Sequence, residues 1–470
     1  MSAPHSVEIS ELVGKAKLSR FHLGMLVLCF LMIFIDAFDL GSVNVAAPAI
    51  LRAFGAEKKT IGHVFGAGYF GILIGCWVFG YVGDRWGRKA GSIGSIMVYT
   101  IPAFVIPFAS SIDQLVYLRF LTGIGLGGVM PTTLAFLAET APKRFRASFA
   151  MVALFGFPAG TTAIGLVAAW LIPKFGWTAV FFAAGSAGLL LCVLLLVVLP
   201  ESIQFLALRK PDAPELHRMV KAIAPDLALE PATRFYVHQE QRQQGFALAQ
   251  LFGTRHRVAT VLLWIAYFTE GLTYITIASW LAVVLETAGL PPTEASLTFS
   301  YAAAGGILVA LFLMRPLDKI GPMASVVTAV IAIGAIITLG TPGIPAWLII
   351  ASAIAVHSFC SATHSSLNGT VGLFYPTNIR SNGVGWASGL GRIASMIGPV
   401  IVGYLLSWKL PLQEVLYLVA MPYVVLIAAC IALGKLYQRQ FAPEDGRRDW
   451  SVAASSPHIV VPAKAGPQGD

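Results

Sequence analysis

Gly80-Tyr81-Val82-Gly83-Asp84-Arg85-Trp86-Gly87-Arg88-Lys89 is a short charged loop between two apolar stretches, and the chain carries it twice. The second copy is worn: Met314-Arg315-Pro316-Leu317-Asp318-Lys319-Ile320-Gly321, with Asp318 following Asp84 at 318 − 84 = 234 residues. An unrelated loop, Pro142-Lys143-Arg144-Phe145-Arg146, recurs as Pro376-Thr377-Asn378-Ile379-Arg380 at the same offset, 376 − 142 = 234. Two loop motifs that share one offset denote a duplicated unit.

The duplicated unit lies in a membrane. Hydrophobic residues make up 57% of the chain and charged residues 12%, with a mean hydropathy of +0.76. Lipid or neighbouring helices are therefore the solvent for most of it. Crossing a hydrocarbon core of ~30 Å takes about 20 apolar residues. Twelve runs of that kind are legible, from Leu23–Val45 to Val415–Leu433, in two sets of six. The expected fold is an all-α membrane protein of twelve transmembrane helices in two six-helix pseudo-repeats. Such bundles rocking about a central site are the architecture of secondary transporters.

The expected division is an N-tail (1–20), a first six-helix bundle (21–199), a linker (200–257), a second bundle (258–438) and a disordered C-tail (439–470). With the N-terminus inside, 25 of the 32 Lys and Arg residues fall in the tails, the linker and the inner loops. The positive-inside rule then places both termini in the cytoplasm of a multi-pass inner-membrane protein. This bias accounts for the net charge of +9, so no nucleic-acid partner is implied. The five cysteines (Cys29, Cys76, Cys192, Cys360, Cys430) all lie in apolar spans without metal-ligand spacing, so neither a disulfide framework, a metal site nor a cofactor is expected. Nothing suggests an enzyme, and a monomer is expected.

A charge at the bilayer centre costs roughly 2.5–3.5 kcal/mol even on a lenient scale, which makes each one a functional candidate. Asp36 and Asp39 stand three residues apart on one face of the first span. Helix rise puts Asp39 about 10 Å from the outer end of its span and Arg119 about 9 Å from the outer end of the fourth, so the two share a level and can pair. Glu270 follows Asp36 by 234 residues, and Arg392 follows Pro158 by the same offset, so the arginine has no charged counterpart in the first half. Asp36, Glu270 and Arg392 are all expected near the midplane, with Asp36, Asp39 and Arg119 coupling to protons. A planar guanidinium there suits a carboxylate; a permanent Arg392–Glu270 pair is the other reading. Tyr274 and Trp386 are candidates for an aromatic wall. His357 and His364 read as hydrogen-bonded packing histidines, with a proton relay as the alternative.

The loops read as gates. Gly80 is expected to let the second helix approach a neighbour closely, with Asp84 at the inner start of the eleventh span, where the helix dipole attracts an anion. Arg85, Arg88 and Lys89 beside Gly87 complete a charge network. The duplicated copy implies a mirror contact in which Asp318 approaches Arg146, the counterpart of Arg380. A network of this kind, made and broken as the site changes sides, is a bistable gate.

At these residues the chain resembles the major facilitator superfamily from about residue 20 to 438. Gly80 to Lys89 is similar to that family's loop signature, and Arg119 with Gly123, Gly125, Gly127 and Gly128 to its fourth-helix motif. Within it, Asp36-Ala37-Phe38-Asp39 and the stretch from Tyr375 through Trp386 and Arg392 to Pro399 resemble the aromatic acid:proton symporters. The resemblance implies proton-driven uptake of benzoate-like acids, with Asp36, Asp39, Arg119 and Arg392 functional. Ala37 where that family has Gly, the worn copy at Asp318 and the acid Glu270 depart from its pattern. The expectation is a proton-coupled symporter that imports a small organic acid anion with protons across a lipid bilayer by alternating access. A proton-coupled antiporter exporting drugs or metabolites is the second reading, and a non-transporting sensor the third.

Overall fold

The computed structural model describes residues 6–223, 233–237, 247–253 and 256–440. The expected C-tail beyond 440 lies outside the described residues. The helices are α1 (Ile9–Lys15), α2 (Arg20–Phe54), α3 (Lys58–Trp86), α4 (Arg88–Val105), α5 (Ile112–Thr140), α6 (Arg146–Leu154), α7 (Gly156–Phe175), α8 (Thr178–Val198), α9 (Ile203–Arg209), α10 (Pro214–Ile223), α11 (Ala247–Leu251), α12 (Arg257–Thr287), α13 (Pro292–Ile320), α14 (Met323–Gly340), α15 (Ala346–Phe374), α16 (Thr377–Ser407) and α17 (Leu412–Gln440). Among the described residues, 11 helical segments are long and apolar enough to cross a membrane, α6 and α7 together forming one of them. The 29-residue α13 completes twelve spans.

α2 to α8 form the first bundle and α12 to α17 the second. α2 is capped at both ends: Ser19 and His22 cap its start, and Gly55 at φ +56° closes it in the left-handed region. The fifth span is interrupted at Phe155, between α6 and α7, where the sequence suggests one continuous run. There α7 lies tight on α2, with the Cβ position of Gly156 2.6 Å from the carbonyl of Phe30.

An even number of spans leaves both termini on one face, here called the terminal face. The opposite face is the distal one. The bundles meet through α3 against α16, α7 against α13 and α2 against α12. The seal is concentrated toward the distal ends. Gly62 of α3 fits against Pro399 and Gly403 of α16, and Trp280 is buried against Phe65, with ring centroids 5.5 Å apart. Toward the terminal face, Gly80, Gly369, Gly372, Gly385 and Gly389 have no heavy atom within 4 Å of a would-be Cβ. The same helices that press together at the distal end stand apart at the terminal end.

The N-tail and linker are not independent connectors. β1 (Ser6–Glu8) pairs in parallel with β2 (Arg234–Tyr236), and Ile9 and Val13 of α1 bury against Ile203, Leu206 and α10. Leu216, Met219, Val220 and Ile223 form the apolar stripe of α10 at helical spacing. This small unit sits on the terminal face, where Lys143 donates from its backbone to Gly14 at 3.2 Å.

Candidate functional site

In the first bundle the glycines of α5 lay it directly on the α3 backbone. A Cβ at Gly71 or Gly123 would collide with main-chain atoms of the other helix. Arg119 is thereby presented to α2. It is 2% exposed, and its Nη1 lies 3.4 Å from Oδ2 of Asp39, itself 0% exposed. This is a long ion pair compared with the usual 2.7–2.9 Å for a charged contact. Asp36, 5% exposed, is one turn away on the same face. Oδ1 of Asp36, Oδ1 of Asp39 and Nε of Arg119 are all buried without a protein partner. Three buried ionisable groups so incompletely paired are poor structural cement. They are well suited to exchanging protons or partners.

The second bundle contributes two rungs between α12 and α15. Tyr267 donates its hydroxyl to Oδ1 of Asn368 at 2.7 Å, and Glu270 Oε1 lies 3.1 Å from Nδ1 of His364. The Tyr274 ring stands 5.8 Å from both His357 and His364. Glu270 is hidden, with its side chain 4% exposed, whereas that of His364 is 44% exposed. Trp386 is exposed and tilted over Trp264 at 6.3 Å.

Arg392 joins the bundles. Its Nη1 donates to the Cys76 sulfur of α3, while the Cys76 thiol donates to the Gly127 carbonyl at 3.0 Å. Its charge reaches Asp36. The Arg392–Glu270 pair weighed from the sequence is not formed among the described residues, because the Glu270 carboxylate is turned to α15.

The terminal-face network is built within the first bundle. Arg88 donates to Asp84 at 2.7 Å and to Glu139 at 2.9 Å, and Ser202 hydrogen-bonds Glu139. Glu201 accepts from the Lys89 backbone at 3.1 Å and packs against Gly87, which sits at φ +106°. The expected contact of Asp84 with the eleventh span is replaced here by this network; the Asp84 side chain is 63% exposed and Arg85 is exposed. The close approach expected at Gly80 occurs instead at Gly83, whose Cα lies 3.0 Å from the Cβ position of Gly91. Both departures follow from the parting of α3 and α16 at this face. Arg146 opens α6 with its Nε buried and unpartnered, and Arg380 donates to the Tyr375 carbonyl at 3.2 Å. The side chain of Asp318 lies outside the described residues.

The distal face holds a feature that the reading of loops passed over. Arg52 and Glu286 form an ion pair between the ends of α2 and α12. Lys59 donates from its backbone to Ser407 at 2.8 Å, His63 meets Tyr404 at 3.2 Å, and Trp280 donates to the Pro399 carbonyl at 3.0 Å. The signal was available: Arg52 and Glu286 are themselves 234 residues apart, the repeat offset.

Two six-helix bundles sealed at one end, parted at the other and lined by incompletely paired charges define a membrane carrier, with no catalytic constellation among the described residues. The chain belongs to the Major Facilitator Superfamily, whose family model matches residues 29–399 and 263–460. It is similar to the 4-hydroxybenzoate transporter PcaK of Acinetobacter baylyi, 31% identical over 91% of this chain and 94% of that one. It is likewise similar to a gallate transporter of Pseudomonas putida, 31% identical over 91% and 95% of the two chains. The fold matches an inward-facing, unoccupied bacterial homologue of the human lysosomal transporter Spinster, with a TM-score of 0.63 at 17% identity over 93% of this chain and 98% of that one. The protein is a transporter, not an enzyme.

Proposed function

We propose that the carrier is a proton-coupled symporter that brings an aromatic carboxylate into the cytoplasm, with its terminal face inward. The observation that carries this reading is Arg392. It is a guanidinium that belongs to one bundle and rests on Cys76 of the other. Among the described residues it forms no ion pair, so a planar fork is left to grip a carboxylate bidentately. The relatives named for 4-hydroxybenzoate and gallate support an aromatic acid as that carboxylate.

Coupling follows from charge balance. On this reading Asp36 of one bundle balances the charge of Arg392 on the other, so an arriving carboxylate adds a negative charge to a site that Asp36 already serves. Proton uptake by Asp36 removes its claim on Arg392 and keeps the site neutral as the substrate binds. Asp39 and Arg119, joined by a loose contact beside Asp36, set how readily that proton is held. The energetics favour the arrangement. A monoanion entering a cell that is negative inside is opposed by about 2.3 kcal/mol per 100 mV. One accompanying proton cancels this cost, and each unit of pH difference adds ~1.4 kcal/mol.

Release of the distal contacts and closure of the terminal-face gap would turn the site outward. The network of Asp84, Arg88 and Glu139 is then available to meet the start of α16, and Asp318, Arg146 and Arg380 take the corresponding positions in the repeat. The testing experiment is uptake by proteoliposomes of radiolabelled benzoates, hydroxybenzoates and aliphatic acids under an imposed inward pH gradient. Accumulation of aromatic acids supports symport. Expulsion of substrate against the same gradient favours the antiporter.

A further inference from the structure

We infer that His364 and Asn368 form a subsite that recognises a hydroxyl group on the ring of the transported acid, so that the carrier selects hydroxylated over unsubstituted aromatic acids. This inference rests on the reading of the protein as an aromatic-acid carrier and deepens it.

The two residues lie four apart on one face of α15, about 6 Å along the helix axis; Asn368 is exposed and the His364 side chain is 44% exposed. Each is fixed from behind by a buried group of α12. Glu270 takes Nδ1 of His364 at 3.1 Å, and Tyr267 takes Oδ1 of Asn368 at 2.7 Å. Both α12 groups are nearly inaccessible, Tyr267 at 2% and Glu270 at 3% exposed. The α12 side therefore sets the polarity that α15 presents. In its neutral form the imidazole, with Nδ1 turned to a carboxylate, carries its proton there and offers Nε2 as an acceptor. With Oδ1 accepting from the tyrosine, the Asn368 amide has its two N–H donors to spare.

An acceptor and a donor one turn apart fit a group that both donates and accepts. A phenolic hydroxyl does this, donating to Nε2 of His364 and accepting from the Asn368 amide. A carboxylate, which only accepts, would meet the imidazole lone pair; an ammonium, which only donates, would meet the amide hydrogens. With His364 neutral, the hydroxyl is the group that satisfies both partners at once. The Tyr274 ring, 5.8 Å from that of His364, supplies an apolar face beside the hydroxyl for the ring that bears it. Leaving polar groups of a binding site unpaired is what rejects an analogue lacking the hydroxyl. Because His364 is half exposed and water can satisfy part of it, the expected preference is about tenfold to a hundredfold.

The test uses the full-length carrier in proteoliposomes and measures binding of benzoate, 3-hydroxybenzoate, 4-hydroxybenzoate and 3,4-dihydroxybenzoate to the wild type, His364→Phe and Asn368→Ala. The expected result is that at least one hydroxylated acid binds the wild type about tenfold or more tightly than benzoate. Each substitution should then collapse that ratio toward unity. Asn368, being exposed, keeps the test valid if His364→Phe does not fold. Equal proportional losses for benzoate and the hydroxylated acids, which leave the ratio intact, overturn the subsite. A wild type that binds aromatic acids without regard to hydroxylation overturns the subsite but leaves the carrier assignment standing, whereas a wild type that binds none of the four removes the underlying reading as well.

Discussion

Arg52 and Glu286 occupy the same position in the two repeats, 234 residues apart, and pair with each other where α2 and α12 meet at the distal face. Two fold-related helices thus close one end of the carrier through side chains of opposite charge at one repeat position. The pair lines a small cavity at the distal end together with Val45, Ala49 and Ser296. Arg52 is 54% exposed, so the contact is worth no more than an exposed ion pair, about 0.2–1 kcal/mol. A lock that must open in every cycle has reason to be weak.

Glu286→Gln should therefore raise the population opened at the distal face by about twofold to fivefold, the equivalent of up to ~1 kcal/mol. Labelling of Val45→Cys by a membrane-impermeant maleimide from the distal side reads this directly. Labelling that is unchanged by Glu286→Gln, and by Arg52→Ala, would count against a locking role.

Packing gives a contrast between two glycines of α3. At Gly71 a Cβ would stand 2.8 Å from the Ile124 backbone nitrogen, whereas at Gly80 it would meet nothing within 4 Å. Gly71→Val should cost about 1–3 kcal/mol through forced separation of α3 and α5, visible as a lowered thermal midpoint in detergent. Gly80→Ala should leave that midpoint unchanged, and any transport defect it shows belongs to the closure of the terminal face.

Much of the fold was readable because its signals are local or periodic: twelve apolar runs and one repeat offset. Depth was readable too, since helix rise places Asp39 and Arg119 on one level, and they stand 3.4 Å apart. Rotation about the helix axis was not. Whether Glu270 turns toward Arg392 on α16 or His364 on α15 depends on helix orientation, which no residue count supplies. The same holds for Cys76, which reads as a small packing residue and meets Arg392. The joint folding of the N-tail with the linker was hidden for a different reason: β1 and β2 are three residues each and pair across more than 220 positions of sequence.

For the coupling acids, Asp36→Asn and Asp39→Asn should each abolish accumulation driven by a pH gradient while preserving exchange of labelled for unlabelled substrate. Exchange needs only the rocking of a loaded carrier, whereas accumulation needs the proton. Full accumulation by both variants at normal expression would remove these residues from the mechanism.

Arg392→Lys should weaken substrate affinity by about tenfold or more despite keeping the charge, since an ammonium cannot reproduce a planar fork. With Glu270 bonded to His364, neutralising Glu270 as well should bring no recovery. Near-normal affinity in a doubly neutral Arg392/Glu270 variant would restore the structural-pair reading and sink the carboxylate clamp.

In the proposed mechanism the substrate carboxylate takes Arg392 as Asp36 takes a proton. Its most direct test is to measure the protons absorbed when substrate binds to purified carrier in weakly buffered solution containing a pH indicator. Uptake of about one proton per molecule of aromatic acid bound is expected near neutral pH, and it should be lost in Asp36→Asn. Binding without proton uptake by the wild type, or undiminished uptake in Asp36→Asn, would contradict it.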